Sequence, residues 1–506
     1  MDLILLLSIV GLIYFVYKWA TARHNEFELR GLPFEKPLPI FGNNAAVVTG
    51  RASFQKSSPS SIARTRQHKM VGFFNFRTPM IQLNDPEIIK KITVKDFEYF
   101  PNHQLFFTTE ERLINDMLSV MKDQRWKHMR NTLTPVFTSA KMRSMFSLMN
   151  ESFAECMDHL DQMSKTAVKP GGSFELELKE VCNRLSNDLI ATTAFGLKVS
   201  SYKKPDNDFY EIGKSIVFFR GKALYKLFAC PTTLPAVFKL LGFKIFDAQK
   251  TDFFIRLVVD AMKYREENNI VRPDMIQLLM EAKKESTEHW SDDELVAQCF
   301  IFFFAAFENN ASLICTTAYE LLNNPDVQQR LYEEVQETYD ALKGEMLTYD
   351  AVTKMKYMDL VASESLRKWT LAASTDRECA KDYTLYDDDA SKLFEFKAGD
   401  RINIPIVGLH LDDKFFPEPH KFIPERFSDG NKDQIVPYTY LPFGAGPRNC
   451  IGNRYALMQA KAMLYNLVLK YKIERSPKTV KDLLSDSRGF QLTPQSGYWV
   501  HLVPRK

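Results

Sequence analysis

One cysteine at the end of a glycine-rich turn constrains this chain more than any other feature. The run Pro442-Phe443-Gly444-Ala445-Gly446-Pro447-Arg448-Asn449-Cys450-Ile451-Gly452 leads straight into an apolar, helix-patterned segment carrying Tyr455, Leu457, Ala460, Met463, Leu464 and Leu467. Glycines let the backbone take positive φ and pass close to a bulky partner. A thiol at a helix start faces free N–H groups and the positive end of the dipole, and Arg448 adds charge, so its thiolate is favoured. A thiolate held in a tight loop suits an axial ligand of haem iron. A lone cysteine before a helix is otherwise most often structural. The joint spacing of Phe443, Gly446, Arg448, Cys450 and Gly452 leaves that reading a small share.

The rest of the composition narrows the class. With 506 residues, 45% hydrophobic and 25% charged, the chain is long enough for one large core and has no dominant disordered region. A net charge of +3 and the lack of a basic–aromatic repeat argue against nucleic acid. The seven cysteines are widely spaced, with no Cys-x-x-Cys, which fits a reducing compartment rather than a disulfide framework. The nine histidines form no His-x-x-x-His or Cys/His cluster, so a zinc site is not expected.

Leu3 to Tyr17 is apolar apart from Ser8, and the stretch reaches Ala20 if Lys18 snorkels and Trp19 lies at the interface. Its length suits a thin bilayer. Ala20-Thr21-Ala22 also fits a signal-peptide cleavage pattern. Against cleavage, the only charge before the run is Asp2, whereas Lys18, Arg23 and Arg30 follow it. The positive-inside rule then keeps the bulk of the chain cytosolic. We expect an N-terminal membrane anchor over residues 1–22, a basic and proline-rich hinge over 23–43, and a catalytic domain over 44–506.

Within that domain, residues 71–84 read as a hairpin around Arg77-Thr78-Pro79, residues 110–200 as mainly helical with a break at Gly171-Gly172, and residues 292–375 as helical. Short strands are expected at Phe394–Phe396 and Arg401–Pro405, and a final helix after Cys450. Between Ile216 and Phe246 many apolar residues cluster, among them Phe218 and Phe219; they read either as core or as loops dipping into a membrane surface. The expected fold class is mainly α with a minor β subdomain.

The Cys450 loop resembles the haem-binding loop of the cytochrome P-450 family, Phe-x-x-Gly-x-Arg-x-Cys-x-Gly, at all five positions. Other family signatures follow in the expected order, over essentially the whole chain. The resemblance implies a cytochrome P-450 fold with a single N-terminal transmembrane helix, haem b as cofactor and Cys450 as the metal ligand. Phe443 and Arg448 of the same loop are implied cofactor contacts. Glu364 and Arg367 form a Glu-x-x-Arg pair, by itself a weak signal; with Arg426 of Pro424-Glu425-Arg426-Phe427 they match a buried network that locks the ligand loop. Trp126 and Arg130 lie one helical turn apart and can both donate to an anion. They match the family's propionate-binding pair, and Arg377 matches a further propionate position.

The oxygen-activating helix reads Phe302-Phe303-Phe304-Ala305-Ala306-Phe307-Glu308-Asn309-Asn310. Glu308 matches the family's acid, and Glu308 and Asn309 are the candidate catalytic residues. Two positions depart from the family pattern: Ala306 replaces a glycine, and Asn309 replaces a threonine. A carboxamide donates hydrogen bonds but does not relay a proton as a hydroxyl does. Thr370-Leu371 stands where many relatives have two prolines. Segments such as Arg125–Arg130 running into Leu133–Ser139, and Cys379–Tyr383, look like insect microsomal members.

The resemblance implies a monooxygenase that inserts one oxygen atom from O₂ into a lipophilic small molecule, xenobiotic or hormone-like, at the endoplasmic reticulum membrane. No nucleotide-binding glycine motif is present, so electrons must come from a partner. NADPH–cytochrome P-450 reductase is the implied donor, with cytochrome b5 as a second candidate. The basic run Lys122, Arg125, Lys127, His128, Arg130, Lys141 and Arg143 is its expected docking face. Asn309 keeps open a haem isomerase or dehydratase acting on peroxides without NADPH. A non-catalytic haem protein is the third reading.

Overall fold

A computed structural model describes residues 2–49, 51, 53, 65–104, 111–167, 172–217, 244, 246–286, 290–387, 389–487 and 493–505. Its helices follow the apolar periodicity and the capping residues of the sequence. Those used below are α1 (Asp2–Thr21), α2 (Asp123–Leu133), α3 (Ser139–Lys165), α4 (Leu178–Ala194), α5 (Asp292–Asn323), α6 (Lys356–Lys368) and α7 (Asn453–Lys470). Helix α5 starts at Ser291. That residue and Glu294 close a reciprocal capping box, and Asp292, Asp293 and Glu294 face the positive end of the dipole. Because α5 is apolar on nearly every side, it runs through the core, packed against α4 and α7. Helix α3 buries only one stripe, including Met142, Met145, Phe146, Met149, Phe153 and Cys156, which is the spacing of an amphipathic surface helix.

The strands form three small sheets among the described residues. The first has the order β1 (Met70–Asn75), β2 (Thr78–Leu83), β7 (Arg401–Ile404), β4 (Thr375–Glu378). The second is β3 (Phe174–Glu177), β9 (Trp499–Pro504), β8 (Tyr471–Glu474); the third pairs β5 (Tyr383–Tyr386) with β6 (Lys392–Phe396). The β1–β2 hairpin closes at Asn75↔Thr78, with Phe76 at φ 54° in its turn, so Thr78 and Pro79 are already strand. Expected strands at 394–396 and 401–405 correspond to β6 and β7. The three-stranded sheet carries no comparable sequence signal, since its strands are short and β3 meets β9 across more than three hundred residues, as in Phe174↔Leu502.

The mainly helical class with a small β region is therefore what forms. Helix α1 leaves its apolar side chains outward, Leu3 to Phe15 among them, and is long and apolar enough to cross a membrane. Helix α5 meets the same length and composition test but is two-thirds buried, as a core helix is. Pro33 to Asn43 lies along β1, with bridges Phe34↔Gly72 and Gly42↔Asn75. At Gly42 (φ +58°) a side-chain carbon would lie 2.3 Å from the Phe74 carbonyl oxygen, so only glycine fits. The aromatic cluster expected at 216–246, with Phe218 and Phe219, lies almost wholly outside the described residues.

Candidate active site

The Cys450 loop is a chain of tight turns. Cys450 donates its backbone N–H to Phe443 O (2.8 Å), and Asn449 to Gly446 O (3.0 Å). Gly444 and Gly446 take φ of +74° and +69°. A side-chain carbon on Gly446 would sit 1.9 Å from the Thr93 carbonyl oxygen, so the loop packs backbone to backbone there. Cys450 itself is exposed on one side. Protein crowding on its other sides raises the thiol pKa above its ordinary value, against the opposing pull of the Gly452 N–H and Arg130. Metal coordination deprotonates such a thiol outright.

Three guanidiniums converge beside this loop. Arg130, on α2, donates to Asn449 O (2.8 Å) and Asn449 Oδ1 (2.7 Å), holding the residue next to Cys450. Arg448 is buried and stacks 4.0 Å from the Trp126 ring. It donates to the carbonyls of Pro101 (2.7 Å), Leu118 (3.4 Å) and Met121 (2.7 Å). Arg377, on β4, is wholly buried and donates to Ala445 O (3.1 Å) of the loop, while its Nε has no partner among the described residues. Burial pushes Arg448 down to about 9, helped by Arg377 and Arg130, and pushes Arg377 down to about 10. Such a cluster is short of negative charge. An iron porphyrin with its carboxylates fits the donor set: one open thiol, three cations and an orphaned guanidinium nitrogen.

Behind the loop sits a buried clamp. Arg367 donates to both oxygens of Glu364 (2.7 and 2.8 Å) and to the carbonyls of His410 (2.8 Å), Pro419 (2.9 Å) and Lys421 (3.2 Å). Both side chains are fully buried. Arg426 joins more loosely, 3.4 Å from Glu364. His410 was not foreseen. Its Nδ1 lies 3.1 Å from Arg367 O, and its Nε2 accepts the Leu441 N–H at 2.8 Å, one residue before the Cys450 run. That geometry requires the neutral ring, protonated on Nδ1. Burial, with Arg367 adding to it, holds its pKa down to about 3.

His410 gives the loop a definite acid sensitivity. The depressed folded value means that the unfolded chain takes up the proton first. This contribution is therefore complete above about 6.5 and is lost as pH falls from there toward 3. His410→Phe should flatten that part of the stability profile. It should also cost about 2–4 kcal/mol at neutral pH, because two buried backbone groups lose their partner. Thermal unfolding from pH 4 to 8 checks both.

Helix α5 presents two different faces at the candidate oxygen-activating turn. Ala305 and Asn309 are exposed, and Phe302 and Ala306 partly so, while Phe303, Phe307 and Glu308 are buried. Asn309 Nδ2 donates to Ala305 O (2.8 Å). Glu308 points away from that stripe to Lys179 on α4, at 2.9 Å, and both side chains are almost fully buried. Lys179 also donates to Ser312 Oγ (2.5 Å), and Glu308 Oε1 accepts from Ser312 and Thr493. Glu308 Oε2 has no partner among the described residues. No local pattern points to Lys179, which lies 129 residues earlier.

The basic run is largely neutralised. Lys122 pairs with Glu378, Arg125 with Asp116 and Glu294, Lys141 with Glu281, and Arg143 with Asp350. Among the described residues Lys127, Arg130 and Arg454 have no acidic partner.

A cysteine loop of this form, locked behind a glutamate–arginine pair and set against a long core helix, defines a haem-thiolate protein. The cytochrome P450 family model matches residues 32–501. The chain is 67% identical to "Cytochrome P450 9b2" of Drosophila melanogaster over 100% of this chain and 99% of that one. It is 39% identical to "Cytochrome P450 9e2" of Blattella germanica over 98% and 97%, and 33% identical to "Cytochrome P450 3A29" of Sus scrofa over 97% and 94%. The chain belongs to the cytochrome P450 family, with relatives of the insect type. It is a P450 monooxygenase that binds haem b through a cysteine thiolate, and its class works with a redox partner on lipophilic substrates.

Proposed function

We propose that this protein inserts one atom of O₂ into a lipophilic small molecule, such as a plant compound, insecticide or hormone, using electrons that originate from NADPH. Cys450 is the iron ligand. The observation that carries this is the exposed Cys450 side chain in a loop tied down by Arg130, Arg377 and the Arg367 clamp. Thiolate-bound haem supplies the one-electron and oxygen chemistry. The chain's own residues do the rest. Trp126, Arg130, Arg377 and Arg448 hold the carboxylates, and Phe443 packs the thiolate side. Ala305 and Ala306 shape the open stripe of α5. Glu308 is the proton donor and Lys179 fixes its resting position. Asn309 orders water beside it by hydrogen bonding.

The division at residues 22 and 43 separates anchor, hinge and catalytic domain. Arg23 and Arg30 beyond α1 favour an endoplasmic reticulum anchor with the catalytic domain in the cytosol. NADPH–cytochrome P450 reductase, and cytochrome b5 after it, would dock through the cations of this face that have no acidic partner among the described residues and no part in holding the carboxylates: Lys127 and Arg454.

Membranes holding this protein and the reductase should form oxygenated product from a lipophilic panel only when NADPH and O₂ are both present. Product from hydroperoxides without NADPH would overturn the proposal. Glu308→Gln should lower product formation about 10²-fold at unchanged haem content, the size of a lost proton donor. Lys179→Met should destabilise the fold by about 3 kcal/mol by leaving a buried carboxylate unpaired. Adding Glu308→Gln to it should recover part of that loss in a double-mutant cycle.

A further inference from the structure

We infer that a cleft at the foot of the membrane anchor is a binding site for the headgroup of an anionic phospholipid. The inference rests on the membrane-anchor reading of α1. The end of α1 is docked on the catalytic domain. Ala20 is buried, Arg77 stacks 3.7 Å from the Trp19 ring, and its Nε donates to Trp19 O (3.1 Å). Tryptophan at this position marks the bilayer–water interface. A cleft of about 180 Å³ opens beside it, lined by three cations, Arg23, Arg30 and Arg401, by two acids, Glu26 and Asp400, and by apolar Phe27, Pro79 and Ile81. That volume is below the ~300 Å³ of a drug-sized ligand site. It suits a phosphate ester whose acyl chains stay in the bilayer.

The charges in the cleft do not cancel. Arg30 is taken by Asp400 (2.6 Å), and Arg23 by Glu26 (2.7 Å), although Arg23 remains half exposed. The Arg401 side chain is half-buried, and its guanidinium makes no hydrogen bond or ion pair among the described residues. The acids nearest it along β4 are engaged elsewhere, Glu378 with Lys122 and Asp376 with His103 and the Gln104 N–H. Burial, with Arg23 adding to it, lowers the Arg401 pKa against the opposing pull of Glu378 and Asp376, which lie near but form no ion pair with it. Topology rules would account for Arg23 and Arg30, which follow the apolar run. They do not account for Arg401, brought to the same cleft from β7. Basic pockets at this depth recognise lipid headgroups.

The test uses the full-length protein in nanodiscs of phosphatidylcholine doped with phosphatidic acid, with co-purified lipid counted by mass spectrometry. Wild type should enrich phosphatidic acid over the bulk ratio. Arg401→Gln and Arg23→Gln should each reduce that enrichment about fivefold, the effect of one cation near a lipid surface. Lys432→Gln, on a separate surface pair with Asp429, should leave it unchanged. Enrichment that survives in both arginine variants overturns the site. Loss of enrichment on adding millimolar glycerol 3-phosphate identifies a soluble phosphate site and overturns the lipid assignment. Failure of wild type to stay in pure phosphatidylcholine discs would instead overturn the anchor reading, and the proposal with it.

Discussion

Arg367→Ala is expected to cost about 3–5 kcal/mol and to prevent haem retention, because it strands a buried carboxylate. Arg367 supplies both close contacts to Glu364, and its other donors hold the carbonyls of His410, Pro419 and Lys421. Without it, Glu364 keeps only the Ile423 N–H and the 3.4 Å contact to Arg426. Losses of this size consume much of the stability of an ordinary domain. Arg426→Ala is the informative control. That side chain is partly exposed and more distant, so its removal should cost nearer 1 kcal/mol. Chemical unfolding of the two variants, with haem content measured alongside, separates them. Equal losses would mean that the clamp works as one unit rather than through Arg367.

Cys450→Ser should abolish thiolate ligation and bring oxygenation to background while leaving the apoprotein's unfolding nearly unchanged, within about 0.5 kcal/mol. Serine preserves the side-chain shape and the Cys450 N–H to Phe443 O bond. The loop glycines and the Arg130–Asn449 contacts are untouched. What disappears is the stabilisation that a tightly bound cofactor confers on the folded state alone. Wild type should therefore melt higher with haem than without it, and the serine variant should lose most of that difference. A large destabilisation of the apoprotein would mean that Cys450 is a packing residue.

The legible part of this protein is local. Phe443, Gly446, Arg448 and Cys450 announce their turn because ten residues carry the whole device. Trp126 with Arg130, and Glu364 with Arg367, are legible because each pair lies within one helical turn. Long-range partners leave no such trace. Lys179 meets Glu308 only after α4 packs on α5, and His410 reaches Leu441 only once the clamp is assembled. The pairing of the basic run is hidden for the same reason. Its acids, Glu294, Asp350 and Glu378, are distant in sequence and arrive by folding. The helix start that favours a thiolate at Cys450 is legible, but the crowding that opposes it by raising the thiol pKa comes only with the fold. Residues 174–177 and 499–504 pair as strands without a periodic pattern long enough to reveal them.

The direct measurement is iron K-edge X-ray absorption on the purified ferric protein beside Cys450→Ser. The account predicts one sulfur in the first coordination shell of the wild type and none in the variant. A first shell made only of nitrogen and oxygen in the wild type, or sulfur that persists in Cys450→Ser, would contradict it.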